Sequence, residues 1–278
     1  MSDLSYNPRA RFLGAELRAV REREKVGVRE LAKLLGTGHA KISLWENGKK
    51  VPSTEDVASF LGALGVGGDE REELIEKARQ ADQKTWVATG VAGATDQFNA
   101  LMEFERTATE IVDWSPLVIP GLLQTGDYAR AIMGDIPQAD LRAAMRVGRR
   151  DVLTKRNPVN LTSLIGEWAL RQPIAESAMM VDQLRQVIDM ADRPNVVMRV
   201  VPAATRWHPG LLGPIKMLRF QRGKPIVYLE HHRASAFVFE DAETADYEEA
   251  LEWISGLAMS PQESTAFIEK LIKKEEKV

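Results

Sequence analysis

Residue types that perform catalysis or bind metal ions are scarce or poorly spaced in this sequence. Cysteine is absent from the 278 residues, which excludes disulfides, thiolate zinc sites and cysteine nucleophiles. His231 and His232 follow Glu230, but adjacent residues on a strand point to opposite faces, so both imidazoles do not readily hold one ion. Glu248 and Glu249 are typical of a solvated helix face, and no serine, histidine and aspartate spacing matches a nucleophile motif. We therefore expect no metal, no cofactor, no catalytic residue and no enzyme activity.

Charge is unevenly distributed along the chain. Residues 1–52 contain 11 Lys and Arg against 6 Asp and Glu, a net charge of +5. The remaining residues contain 26 against 34, a net charge of −8, and the whole chain carries −3. A compact basic segment predicts an anionic partner for that segment alone. A solvated surface of uneven charge is the alternative.

Polar and basic residues concentrate between residues 36 and 50, around the tight turn Gly36-Thr37-Gly38. A short helix, a glycine turn and a second short helix form the helix-turn-helix pattern. Ile42 and Trp45 are spaced to face inward against Leu31 and Leu35. The residues left at the exposed face or its edges are His39, Ala40, Lys41, Ser43 and Leu44. Such a helix can lie in the major groove of DNA.

The surrounding elements predict two domains, as does the chain length. Residues 8–64 have the apolar spacing of four or five short helices, and residues 70–84 that of a further charged helix. Residues 87–95, with two glycines and three alanines, predict a flexible linker. We therefore divide the chain into an all-α helix-turn-helix domain at 1–67, a helix and linker at 68–94, and a regulatory and dimerisation domain at 95–278.

Residues 95–278 predict an α+β domain with a small, largely antiparallel sheet. The predicted strands are 159–165, 196–201, 215–220, 226–230 and 235–239. The predicted helices are 96–112, 127–133, 138–155, 176–191, 242–257 and 261–274. Residues 115–125 predict a loop. The longest apolar run, 117–123, is far short of a membrane span, and the opening residues lack a secretory signal, so we expect a cytoplasmic protein without membrane contact.

Residues 13–64 resemble the XRE, or Cro-repressor-like, helix-turn-helix family. The strongest matching motifs are Glu30-Leu31-Ala32, Ile42-Ser43-x-x-Glu46-Asn47-Gly48 and Lys49-Lys50-Val51-Pro52. The resemblance implies that His39, Ala40 and Leu44 read bases. It implies contacts with the DNA backbone or its edge for Thr37, Gly38, Lys41, Ser43, Asn47, Lys49 and Lys50. It also implies a buried ion pair between Arg21 and Glu46.

The sequence departs from that family at the start of the second helix. Gly27 and Val28 stand where relatives have a capping Thr or Ser followed by Gln, so a phosphate contact is lost that Arg29 is expected to replace. Leu44 can meet a thymine methyl group but cannot form a hydrogen bond with guanine, and Ala40 is equally unable to do so. Hydrogen-bonded base reading would then rest largely on His39 and Lys41.

The remainder of the chain resembles actinobacterial XRE regulators of WhiJ-like, antitoxin-like organisation. The matching segments are 119–125, 128–131, 183–184, 195–202 and 227–230. The resemblance implies a transcription regulator whose second domain has an unresolved function and whose gene often lies beside one for a small partner protein. We expect double-stranded DNA with an inverted-repeat operator as the ligand of a homodimer.

Two other functions stay open. The chain could be an antitoxin whose main role is to bind and neutralise a small partner protein through residues 95–278. It could also be an enzyme fused to a DNA anchor, for which no residue argues. Trp168, Trp207 and His208 could line a pocket, although aromatic residues more often belong to a core.

Overall fold

The computed structural model describes residues 7–81, 86–232 and 234–276. The chain divides into two compact units. The first unit comprises Met1–Glu103, Arg222–Ile226 and Arg233–Asp241. The second comprises Phe104–Gln221, Val227–His232 and Ala242–Val278. Segments from the second half of the sequence therefore complete the first unit.

The helices, in chain order, are α1 (Pro8–Arg23), α2 (Val28–Leu34), α3 (His39–Glu46), α4 (Thr54–Ala63), α5 (Gly68–Gln80), α6 (Gly90–Thr107), α7 (Gly126–Met133), α8 (Ala139–Gly148), α9 (Glu167–Arg171), α10 (Ser177–Ala191), α11 (Asp241–Leu257) and α12 (Pro261–Glu275). The strands are β1 (Trp86–Thr89), β2 (Glu110–Ser115), β3 (Asn160–Gly166), β4 (Val196–Val201), β5 (Ile215–Arg219), β6 (Ile226–His231) and β7 (Ala234–Val238).

Helices α1 to α5 form the first unit's core, as the apolar spacing predicted. Local signals set their ends: Asn7 caps α1 by accepting from the backbone N–H of Arg9, and Ser53 caps α4. Leu17, Leu31, Ile42 and other fully buried apolar residues pack between them. Burying each such side chain stabilises the fold by about 1.5–3 kcal/mol.

The predicted linker at residues 87–95 is wrong. The segment lies in β1 and in the beginning of α6. Strand β1 pairs antiparallel with β7, with Trp86 opposite Phe237, and the rings of these two residues lie 5.2 Å apart. The glycines predicted a flexible connection. The strand was missed because its partner, β7, is distant in sequence.

The second unit confirms the α+β class. Its strands lie in the order β6-β5-β2-β3-β4. Strands β2 and β5 are antiparallel, whereas β2, β3 and β4 are mutually parallel. The sheet is therefore mixed, which refines the expectation of a largely antiparallel one. Parallel neighbours need a long crossover, and α9 and α10 supply the one from β3 to β4.

A buried ionic network lies on one face of the second unit's sheet. Arg149 donates from Nε and Nη2 to the two carboxylate oxygens of Glu105, at 2.7 and 2.6 Å. The Lys216 Nζ lies 3.0 Å from Glu105 Oε1 and 2.8 Å from Asp113 Oδ2. Ser115 completes the network by donating to Asp113 Oδ1. Two positive and two negative charges balance, as buried charges require.

The segment that carried the resemblance in the second domain is held by buried side chains. Gln124 donates to the Ile119 carbonyl at 2.7 Å, and the Tyr128 hydroxyl accepts from the Ile119 N–H at 3.1 Å. Gln183 accepts from the Thr125 N–H and donates to the carbonyl of residue 123. These residues satisfy the backbone of a buried turn, which gives the motif a structural role.

Among the described residues, no helix combines the length and apolar composition needed to span a bilayer.

Candidate nucleic-acid interface

Helices α2 and α3 are joined by a turn in which Gly36 has a φ of 62°. That left-handed conformation favours glycine and ends α2 abruptly. Leu31, Ile42 and Trp45 are buried in the shared core. Burial of Ile42 and Trp45 fixes which side of α3 faces the interior and leaves the opposite side to solvent.

The exposed side of α3 carries the predicted base-reading residues. His39, Ala40 and Leu44 are all exposed, and the side chain of Leu44 is 40% accessible. Ser43 lies on the same side. The sequence prediction of which residues share this surface therefore agrees with the structure, while their individual contacts with DNA stay predictions.

The remaining predicted contact residues surround α3. Gly38 is its exposed N-cap, Thr37 is half-buried in the turn, and Arg29 is exposed on α2. Lys49 and Lys50 are exposed immediately after the end of α3. Cations at both borders of an exposed helix are the arrangement expected of phosphate contacts that flank a base-reading surface.

Arg21 and Glu46 join α1 to the end of α3. Arg21 donates from Nε to Glu46 Oε1 at 2.6 Å and from Nη2 to Oε2 at 2.9 Å. Both side chains are almost fully buried. Hydrogen bonding to Glu46 raises the pKa of Arg21. A bidentate pair of this kind fixes the angle of α3 as well as its position.

Sequence reasoning missed a second arginine at this junction. Arg18 donates from Nη2 to Asn47 Oδ1 at 2.8 Å and lies 3.5 Å from Glu46. Asn47 in turn donates to the carbonyl of Ser43 at 2.6 Å. Arg18 precedes Arg21 by three residues, so both face the same partner, and that spacing is the signal that identifies it.

Glycines allow α1 and the end of α3 to approach closely. A methyl group on Gly14 would collide with the carbonyl oxygens of Trp45 and Glu46. One on Gly48, whose φ is 63°, would lie 2.5 Å from the Cα of Arg11. Glycine is therefore required at position 48, both by the left-handed conformation and by the neighbouring backbone of Arg11.

Lys41 lies at the edge of the exposed surface and has two partners. Its Nζ is 3.0 Å from Asp56 Oδ1 and 4.6 Å from the centre of the Trp45 ring. Asp56 belongs to α4, and no sequence pattern indicated this pairing. The side chain of Lys41 is 39% exposed, so its ammonium group still reaches solvent.

Comparison with known proteins agrees with this geometry. Residues 13–74 match the model of a helix-turn-helix domain (HTH_31). The basic segment 1–52, the exposed face of α3 and this match define a DNA-binding transcription regulator of the helix-turn-helix class. Residues 98–270 match the family described as a domain of unknown function (DUF5753). Because that match covers more than half of the sequence, the chain belongs to this family.

Two solved structures are similar to parts of the chain. The clp gene regulator ClgR from C. glutamicum is 31% identical, over 27% of this chain and 92% of its own, with a TM-score of 0.23. The archaeal chromatin protein TrmBL2 is 15% identical, over 84% of this chain and 88% of its own, with a TM-score of 0.33. These TM-scores are too low to carry an argument about function. No curated protein matches the chain.

Proposed function

We propose that this protein is a sequence-specific, dimeric transcription regulator of WhiJ-like organisation, in which α3 reads an inverted-repeat operator and the second unit holds the dimer. The observation that carries the proposal is the exposed face of α3, whose opposite face is fixed by Ile42 and Trp45. A short helix held this firmly can enter the major groove without rearranging its own core.

Base reading falls to the exposed residues of α3. His39, at the N-terminus of the helix, can donate to or accept from a base edge, and Lys41 can donate to guanine O6 or N7. Leu44 and Ala40 offer only apolar contact, which suits a thymine methyl group. We infer an operator half-site that combines a purine acceptor with a neighbouring thymine.

The residues around α3 supply the affinity for the DNA backbone. Lys49, Lys50 and Arg29 carry exposed positive charge, and the N–H of Gly38 lies at a helix N-terminus, where phosphate is favoured. Ser43, Thr37 and Asn47 supply shorter polar contacts. In the free protein the Asn47 amide bonds to Ser43, so phosphate contact by Asn47 would exchange one hydrogen bond for another.

An exposed apolar patch on the second unit supports dimerisation. Trp207 and Trp253, 62% and 49% exposed, meet edge to face at 5.6 Å. Leu211 and Leu212 are also exposed, the latter at 84%. We name these four residues the tryptophan patch. A pair of exposed tryptophans in mutual contact, with exposed leucines four and five residues after one of them, is typical of protein interfaces.

The turn that leads into Leu211 and Leu212 is tightly packed at Gly210. Trp114 donates from its indole N–H to the Gly210 carbonyl at 2.8 Å. A methyl group on Gly210 would lie 2.6 Å from that indole nitrogen and 2.7 Å from Ile254. A preorganised surface loses little conformational entropy on association.

We assign the tryptophan patch to a second copy of this chain. Arg206 precedes Trp207 and Glu252 precedes Trp253, and both charged residues are exposed. A twofold axis brings the same surface together from both copies, so a patch with one charge of each sign can complement itself. Two copies present two recognition helices, which is why an inverted repeat follows.

A second candidate function is that of an antitoxin that captures a small protein encoded nearby. Helix α8 favours it, because Leu141 and Met145 lie four residues apart and are both exposed. This spacing gives an apolar stripe suited to a partner helix. Affinity purification of the full chain with its neighbouring gene product, compared with Leu141→Asp, tests this candidate. Equal recovery with both versions argues against the stripe.

Selection of duplexes from a random pool tests the main proposal. We expect an inverted repeat to be enriched and binding to weaken steeply with salt. Lys49→Ala and Lys50→Ala should weaken selected and shuffled duplexes alike. His39→Ala should relax the preference at one base pair, by about 1–3 kcal/mol. Equal losses on both duplexes for His39→Ala would remove its base-reading role.

A further inference from the structure

The side chain of Lys41 is held in place by two groups that do not belong to its own turn of α3. One is the ring of Trp45, which is buried and therefore fixed; the Lys41 Nζ lies 4.6 Å from its centre. The other is Asp56, whose Oδ1 lies 3.0 Å from the same Nζ. A lysine on a recognition helix is otherwise among the most mobile of side chains.

Asp56 is itself fixed by the start of α4. Its backbone N–H donates to Ser53 Oγ at 3.1 Å, and its Oδ2 accepts from the Ser53 N–H at 3.4 Å. This reciprocal capping box uses one carboxylate oxygen and leaves the other for Lys41. The position of the Lys41 ammonium group is thus set by the N-terminus of α4.

The pairing leaves Lys41 able to bind a further acceptor. An ammonium group has three N–H donors, and Asp56 takes one of them. The side chain is 39% exposed, so the remaining donors reach solvent at the border of the exposed surface, on the side of Leu44 three residues on. A side chain that is already immobilised loses less conformational entropy when it binds.

We propose that Asp56 is a positioning residue for DNA recognition. It holds Lys41 so that the free N–H groups donate to O6 or N7 of a guanine. The Lys41–Asp56 pair persists in the operator complex. Because its charge is balanced by Asp56, the ammonium group does not bind phosphates on other sequences. Asp56 thereby raises the ratio of operator affinity to non-specific affinity. This inference rests on the proposed role of α3 as the recognition helix.

The proposal predicts an effect opposite in sign to simple electrostatics. Removing an acidic residue beside DNA should strengthen binding to every duplex, because a repulsion is lost. If Asp56 positions Lys41, its removal should instead weaken operator binding. Glu55 offers a matched control, because it is the exposed acidic neighbour on the same first turn of α4 and does not pair with Lys41.

The experiment measures fluorescence anisotropy of the full chain with the selected duplex and with a shuffled duplex of equal composition. We expect Asp56→Asn to weaken binding to the selected duplex by about 2- to 10-fold, the range that the entropy cost of one free side chain implies. Binding to the shuffled duplex should be unchanged or tighter, with a salt slope steeper by about 0.9 if Lys41 gains a phosphate. Glu55→Gln should weaken neither duplex.

A double-mutant cycle with Lys41→Ala separates positioning from structural support. In the Lys41→Ala background, Asp56→Asn should no longer weaken binding to the selected duplex. Ser53→Ala removes the hydroxyl cap of α4 but keeps the backbone N–H that holds Asp56 Oδ2. A purely structural role for Asp56 predicts the same loss from Ser53→Ala, whereas a positioning role predicts a smaller one. Melting curves of each variant report whether the first unit is folded.

Several results would overturn the proposal. One is that Asp56→Asn strengthens binding to both duplexes as much as Glu55→Gln does. A second is that Asp56→Asn weakens binding to both duplexes equally. A third is that Asp56→Asn still weakens binding to the selected duplex in the Lys41→Ala background. Failure of the proposed function has a different signature, since the wild-type chain would then enrich no duplex at all.

Discussion

Arg21 and Glu46, 25 residues apart in sequence, meet through two hydrogen bonds between a guanidinium group and a carboxylate that are both buried. The pair joins the helix that begins the first unit to the last residue of α3. Orientation of the exposed base-reading surface therefore depends on two residues that do not themselves lie on it.

Loss of one partner from this pair should destabilise the first unit strongly. We expect Glu46→Ala to lower the free energy of unfolding by up to about 3–5 kcal/mol, because it leaves the buried Arg21 charge with only the exposed Glu22 carboxylate at 3.6 Å and the Val26 carbonyl as partners. Replacing both residues, as in Arg21→Met with Glu46→Leu, should cost less. Chemical denaturation followed by circular dichroism gives both values. The exposed pair Arg23 and Glu70 is the control, and Glu70→Ala should change stability little. A Glu46→Ala protein as stable as wild type would contradict the role of this pair.

Two glycines inside helices should respond in opposite directions to the same substitution. Gly14→Ala should destabilise the first unit, because the new methyl group meets the backbone of Trp45 and Glu46. Gly62→Ala in α4 meets nothing within 4 Å and should stabilise the protein by about 0.5–1 kcal/mol. Thermal melts of the two variants decide the matter, and a Gly14→Ala protein that is also stabilised would disprove the close contact between α1 and α3.

Acid should weaken the second unit through Glu105. Burial alone would raise the pKa of this carboxyl, but the charges of Arg149 and Lys216 lower it from 4.5 to about 2. Because the folded pKa lies below the unfolded one, the stabilisation is present above pH 4.5 and is lost as the pH falls towards 2. The shift corresponds to about 3 kcal/mol.

Urea denaturation at several pH values between 7 and 2 measures that loss, and Glu105→Gln supplies the comparison. The variant should be less stable at neutral pH, because it leaves excess positive charge buried. It should also lose less stability than wild type between pH 4.5 and 2. Parallel losses in the two proteins over that range would show that other carboxyl groups are responsible.

The oligomeric state should depend on the tryptophan patch. Sedimentation of the full chain at micromolar concentration should give a dimer, and Trp207→Ala combined with Leu212→Asp should give a monomer. Leu34→Ala removes an exposed leucine of the first unit and should leave the dimer intact. A dimer that survives the double substitution would assign the interface to another surface, and a monomeric wild type would remove the proposed dimer.

The five helices of the first unit were predictable because their signals are local. Apolar spacing, caps and glycines lie within a few residues of the helices they define, so α1 to α5 follow from the sequence. Strand β2 was missed because buried Asp113 and Ser115 interrupt its apolar pattern. Their charge and hydrogen-bonding needs are met from elsewhere: Lys216, which pairs with Asp113, also reaches Glu105, 111 residues earlier.

The same limit applies to the candidate interface. The exposed face of α3 could be predicted from periodicity, since Ile42 and Trp45 determine the buried side. The pairing of Lys41 with Asp56 could not, because the two residues lie 15 positions apart on different helices and only the packing of α4 brings them together. Long-range side-chain pairs of this kind produce no periodic pattern of residue types in the sequence.

The contribution of β7 to the first unit sets an order of events during synthesis. Protein domains generally fold as they leave the ribosome, from the N-terminus onward. Here the five helices can assemble early, but β1 has no partner until residues 234–238 have been made. The nascent chain therefore carries a folded DNA-binding unit with one unpaired strand until β7 has been synthesised and can pair with β1.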